Sequence, residues 1–215
     1  MGINLAKGQS VALSIMKFRL GFILDSTPDI SAFMLGVNKK LLTNEYLVFY
    51  NSSLRVRQPF AKVLEALTET KFSPSSEIYN SSGYEHWRIN TLPVDPDFSV
   101  FGTDESPRHP GGDDKTMYLD LNKVSTLVHE IIITLTITKA DEQNKNFGNF
   151  HNSSVRVCST EIYKDEFLKF ELQDDFLSET AIEFCRFFRS DDEWRFEALG
   201  LGLNGGIQYL VNKYV

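Results

Sequence analysis

The feature that most constrains the fold is a two-residue rhythm of apolar and polar side chains, which returns in short stretches along most of the chain. Successive side chains of an extended strand point to opposite faces, so this rhythm builds sheets with one face buried. "QSVALSI" sets Val11 and Leu13 on one face, and "SAFMLGV", an "NKK" turn and "EYLVFYN" read as a hairpin. "TMYLDL", "SSVRVCST" and "FLKFEL" add further strands. "EIIITLTIT" differs, being an unbroken β-branched run of the kind a central strand carries. "TAIEFCRFFR" and "EWRFEAL" flank "SDDE", whose residues suit a tight hairpin turn. About ten such segments separated by turn residues predict an all-β fold, a two-sheet β-sandwich.

Two stretches depart from the rhythm. Near the C-terminus "GGIQYLVNKYV" places Ile207, Leu210 and Val211 on one helical face, with Gly205 and Gly206 as a flexible start. The glycines of "LGLGLNGG" before it read as a turn into that helix, because the strand-to-helix context of a dinucleotide site is missing. Residues 52–97 form the second departure. "QPFAKVLEALTETKF" aligns Phe60, Val63, Leu64 and Leu67 as an amphipathic helix, with Pro59 in its first turn. "EHWRI" suggests an added edge strand, and the prolines of "LPVDPDF" blunt pairing. The chain is therefore expected to form a single domain over 1–215, with an insertion at 52–97 whose helix caps the sandwich.

Composition narrows the function. The 17 Phe and 8 Tyr suit packed sheet faces. A net charge of −7 argues against a nucleic-acid partner, which requires a basic stripe. No apolar run reaches the roughly 18 residues that span a bilayer, so no transmembrane segment is expected. "MGINLAKGQSVALSIMK" lacks the layout of a signal peptide, and Ala6 stands where a myristoylation signal carries Ser or Thr. Cys158 and Cys185 lie in strand patterns and read as packed thiols of a cytoplasmic protein.

Candidate chemistry concentrates in "ESPRHPGGDDKTMYLDL", residues 105–121, where Asp113 and Asp114 adjoin behind two glycines, with Asp104 just upstream. Adjacent carboxylates are tolerated when water screens them, when they do acid–base work, or when a cation lies between them. The residues alone leave all three readings open. No G-x-S-x-G nucleophile or Gly-rich phosphate loop is present, and His86, His109, His129 and His151 lack zinc-site spacing. The chain is therefore expected not to be an enzyme. Calcium takes six to eight oxygens, and Asp29 and the Asp104–Asp114 loop could supply some from one end of a sandwich. The loop is not an EF-hand. Asp113 and Asp114 reach one ion only if the chain is still curved there.

Several segments in order resemble the tellurium-resistance TerD family of bacterial stress proteins: "INLAKGQSVAL", "LGF" at 20–22, "DISAF", "LVFYN", "GGDD", "NFGNFHNSSVRV", "DDFLSETAIEF" and "EWRFEALGLGLNGGI". The resemblance covers residues 3–51 and 98–215. It implies a β-sandwich whose loops at one end bind calcium, with a role in tellurite resistance and other chemical stress. The metal positions it implies are Asp29, Asp104, Asp113 and Asp114, with Asn51 after "FY". Three acidic family positions are lost, at Thr27, Gly111 and Lys115, and the family's His–Asp before "NFG" is Thr138–Lys139. That loss points to one retained calcium ion rather than two. The expected function is a calcium-binding stress-response protein, a non-enzymatic scaffold for other stress or tellurium-resistance proteins. The alternative is a metal-free protein-interaction module whose acidic loops are remnants.

Overall fold

The computed structural model describes residues 5–23, 28–57, 91–102, 114–149, 154–159, 166–171, 176–191 and 193–215. Strands and helices are numbered here in chain order. A six-stranded sheet runs, edge to edge, through β1 (Ser10–Ala12), β13 (Glu193–Leu203), β12 (Ala181–Ser190), β9 (Glu130–Thr136), β3 (Asp29–Leu35) and β4 (Leu47–Val48). A five-stranded sheet runs through β11 (Glu166–Glu171), β10 (Ser154–Ser159), β2 (Lys17–Ile23), β8 (Lys115–Asp120) and β7 (Val100–Gly102). A two-stranded ribbon pairs β5 (Arg55–Arg57) with β6 (Thr91–Pro93). Every pairing is antiparallel. The expected all-β sandwich is the fold.

The inner faces of the two large sheets make one core. Phe18, Leu20 and Phe22 of β2 and Val155 and Val157 of β10 join Ile131, Ile133 and Leu135 of β9 and Phe184 and Phe187 of β12. The Phe187 ring lies 5.1 Å from Phe18 across the sheets and 5.2 Å from Phe196 of β13. Ile132 points the other way, into a second cluster with Phe33, Leu35, Leu210 and Tyr214, where helix α2 (Gly206–Tyr214) covers the outer face of the six-stranded sheet. β9 is thus buried on both faces, which is the physical reason for its unbroken apolar run.

The details depart from the sequence reading in several places. β2 is missing from the strands expected above, although it is the middle strand of its sheet and alternates Lys17 and Arg19 with buried Phe18 and Leu20. The first hairpin exists, but apart from a bridge between Leu41 and Leu35 the return strand is just Leu47 and Val48, after a longer connection that ends in a 3-10 turn at Asn44–Tyr46. The "LGLGLNGG" segment is not simply a turn, because β13 continues to Leu203. Gly200 has φ +55, opposite the point where the β12–β13 register shifts between Glu183 and Cys185. That is a bulge conformation open to glycine. α2 follows as expected, with buried Leu210 and partly buried Ile207 and Val211. One further helical turn, α1 (Ala140–Gln143), was not expected.

The insertion helix and the "EHWRI" strand lie outside the described residues. The two ends of 52–97 are structured, as β5 and β6. Leu92 and Val94 pack with Phe101 and Tyr118 on the outer face of the five-stranded sheet, joined by Leu54 and Val56. Cys158 and Cys185 lie on different sheets and are not joined in a disulfide. Burial pushes the Cys185 thiol well above its ordinary range, which makes it a packing residue.

Charged side chains knit the rest of the outer face. Arg186 Nη1 donates to Glu130 Oε1 at 2.6 Å and its Nε donates to Glu197 Oε2 at 2.6 Å. Lys39 Nζ donates to the other Glu130 oxygen at 2.5 Å. The Glu130 side chain is 3% exposed, whereas Lys39 is 60% exposed and Arg186 27%. Removing the more buried partner strands the carboxylate, so Arg186→Met is expected to cost about 2–3 kcal/mol and Lys39→Met under about 1 kcal/mol. Urea denaturation of the two variants checks this, and equal losses would refute the assignment.

Candidate functional site

Two strands of different sheets begin side by side at one end of the sandwich. Asp29 opens β3 and Lys115 opens β8. Strand register explains both positions. Asp29 stands opposite Thr136, the last residue of β9, so Thr138, two residues further on, reaches the Asp29 carboxylate. Its Oγ1 donates to Asp29 Oδ2. Lys115 stands opposite Phe22 of β2, and the Asp114 N–H donates to the Phe22 carbonyl at 2.8 Å.

From there the Lys115 side chain reaches across to the other sheet. Its Nζ lies 3.6 Å from Asp29 Oδ1 and donates to the Pro28 carbonyl at 3.0 Å. The side chains are 11% and 17% exposed. At an effective dielectric constant of about 20, unit charges at this separation attract by roughly 4–5 kcal/mol, before desolvation takes back a large part. Phe49, Tyr50, Pro93 and Met117 complete the walls of the small cleft that holds the pair. Asn51 follows Tyr50 in an exposed turn, pinned where the Phe49 N–H donates to Ser52 Oγ at 2.9 Å.

Of the candidate ligands, Asp29, Asn51 and Asp114 therefore come to one end of the sandwich, while Asp104 and Asp113 lie outside the described residues. The Asp29 carboxylate, with one oxygen beside an ammonium and the other beside a hydroxyl, does not fit a metal ligand in this setting. Among the described residues no group of three or more His, Cys, Asp or Glu could hold a metal ion. Thr138 was noted only as a replaced family position, with no role given to it. The signal that could have found it is its place two residues beyond β9, the neighbour of β3.

Another acid the sequence reading missed, fully buried, serves the fold. Asp95 accepts hydrogen bonds from the N–H groups of Asp97, Ser99 and Val100 and from Ser99 Oγ, at 2.6–3.0 Å. Burial raises its carboxyl above the ordinary range, against the pull of those four bonds. Asp97 beside it accepts from the Ser125 N–H at 2.9 Å. Together they fix the turn between β6 and β7.

An antiparallel two-sheet sandwich, with Asp29 and Asp114 at one end of it, defines the structural class. The chain belongs to the TerD domain family, whose model matches residues 91–214. It is 39% identical over 103 residues to the uncharacterized protein YceE of Bacillus subtilis (strain 168), a match covering 48% of this chain and 53% of that protein. It is 36% identical over 102 residues to the chemical-damaging agent resistance protein B of Clostridium acetobutylicum, covering 47% of this chain and 73% of that one. The matched stretch thus spans about half the length of YceE. An alignment of 228 positions with the tellurium resistance protein TerD of Serratia marcescens covers 100% of this chain and 97% of that protein at 27% identity.

Among solved structures, a homologue of the telluride resistance protein TerD from Streptomyces coelicolor A3(2) is similar with a TM-score of 0.60 and 14% identity, over 92% of this chain and 96% of that one. The protein of unknown function SAV2460 is similar with a TM-score of 0.62 and 16% identity, over 94% and 99% of the two chains. Both likenesses concern the fold alone.

Proposed function

We propose that this chain is a non-enzymatic binding module of the TerD-type stress response, working in the cytoplasm. In this reading the acidic loop before β8 takes one calcium ion through Asp104, Asp113 and Asp114, with Asn51 beside it. The ordered loop then offers a surface to other stress or tellurium-resistance proteins. The observation that carries the reading is the gathering of Asp114 and the Tyr50–Asn51 turn at one end of the sandwich. Relatives named for tellurium resistance and for resistance to chemical damage support the stress role. The net charge of −7 suits a cation and disfavours nucleic acid. No helix among the described residues is long and apolar enough to cross a membrane.

Thermal melting in chelator and in millimolar calcium tests this reading. An ion that binds only the native state adds about 2.7 kcal/mol at a hundredfold excess over Kd. For a chain of this size that raises Tm by roughly 5–10 °C. Magnesium, which demands a tighter octahedron, should raise it less. Asp113→Asn with Asp114→Asn should abolish the response while melting normally in chelator. Identical wild-type curves in chelator and calcium would sink the calcium reading. A metal-free interaction module would then take its place, a reading favoured by the Lys115–Asp29 contact.

A further inference from the structure

We propose that the Lys115 ammonium is the resident cation of the Asp29 position and bars calcium from that carboxylate. The inference rests on reading this end as a cation site, and three observations lead to it. Lys115 Nζ lies between a carboxylate oxygen, Asp29 Oδ1 at 3.6 Å, and a backbone carbonyl, Pro28 at 3.0 Å. These are oxygen types that a hard cation takes as ligands. The second Asp29 oxygen is held by the Thr138 hydroxyl, which fixes the carboxylate towards the ammonium. Both charged side chains are largely buried, so neither is held in place by bulk water.

A tethered ammonium has a lasting advantage over a free ion. Its effective concentration at Asp29 is set by its own short stem and does not fall when calcium is scarce. A calcium ion entering beside Asp29 would have to displace Nζ and leave that ammonium buried against a second positive charge, a costly arrangement. The contact also joins the start of β3 in one sheet to the start of β8 in the other, so this corner is ordered whether or not metal is present.

Calorimetric titration of the chelator-treated full chain with calcium tests the proposal, using wild type, Lys115→Gln, and Lys115→Gln combined with Asp29→Asn. Lys115→Gln should bind one more calcium ion per chain than wild type, and adding Asp29→Asn should remove that gain. Lys115→Met, which keeps the apolar stem, repeats the test should the glutamine variant fold poorly. Lys115→Arg should keep the wild-type stoichiometry. The proposal is overturned if removing the ammonium leaves the number of bound ions unchanged, or if Asp29→Asn alone abolishes calcium binding by an otherwise wild-type chain. A wild type that binds no calcium while Lys115→Gln binds one would support this proposal and defeat the calcium reading above. Equal non-zero binding by both would defeat only this proposal.

Discussion

Rejoining Arg57 directly to Thr91 through an Asn-Gly turn should leave a cooperatively folded domain, whereas rejoining Asn51 to Phe98 should cost several kcal/mol. Arg57 and Thr91 are the last registered pair of the β5–β6 ribbon, so a two-residue turn of the type that closes hairpins can join them. The longer deletion removes Leu92 and Val94, which are 2% and 0% exposed, and uncovers Phe101 and Tyr118. At about 1.5–3 kcal/mol for each fully buried aliphatic side chain, those two alone contribute roughly 3–6 kcal/mol. That is a large share of the roughly 5–15 kcal/mol that holds a typical domain together. Thermal unfolding of both deletions decides the matter: the longer one should melt roughly 6–24 °C below the shorter. Equal melting would show that the ribbon contributes nothing to the body.

Replacing Phe187 by Ala should destabilise the chain by about 3–5 kcal/mol, with a Tm loss of roughly 6–20 °C. The ring is fully buried and stands between Phe18 of the opposite sheet and Phe196 of the neighbouring strand, so its removal opens a cavity that neither sheet can close alone. Phe188, one residue on, faces the other side with Arg186 4.4 Å above its ring. The same substitution there should cost less than half as much. Guanidinium unfolding of the two variants compares them, and equal losses would contradict the placement of Phe187 at the centre of the core.

How much of this was legible follows from which forces act locally. A strand whose apolar residues face one core, such as β10 with Val155 and Val157, declares itself by alternation, and β9 declares itself by burial on both sides. β2 obeys the same alternation and was nonetheless missed, because a glycine at position 21 and the basic Lys17 and Arg19 dilute its apolar signal. β5, β6 and β7 each span three residues, too few for a period to register. The extension of β13 through Gly200 and Gly202 was hidden because glycines read as turns, whereas here one sits at a bulge and the other leaves room for Glu179.

The candidate site was legible in its acids and not in its neutralisation. Asp29 and Asp114 stand in recognisable segments, and Lys115 was noted as a lost acidic position. That its ammonium crosses to Asp29 depends on how the two sheets are stacked, and that is a long-range outcome. Thr138 depends on the β3–β9 register, between segments about a hundred residues apart.

The same strand order has a consequence for how the chain comes into being. β1 finds its partner only when residues 195–197 exist, and β9 lacks its β12 neighbour until residue 181 onward is made. At roughly 5–20 residues per second on a ribosome, β9 leaves several seconds before β12. During that interval "IIITLTI", uncharged and rich in β-branched residues, has at most β3 along one edge. Topologies dominated by such distant pairings close in milliseconds to seconds once complete, so synthesis and not closure sets the exposed time. The hazardous period in the life of this chain is its birth.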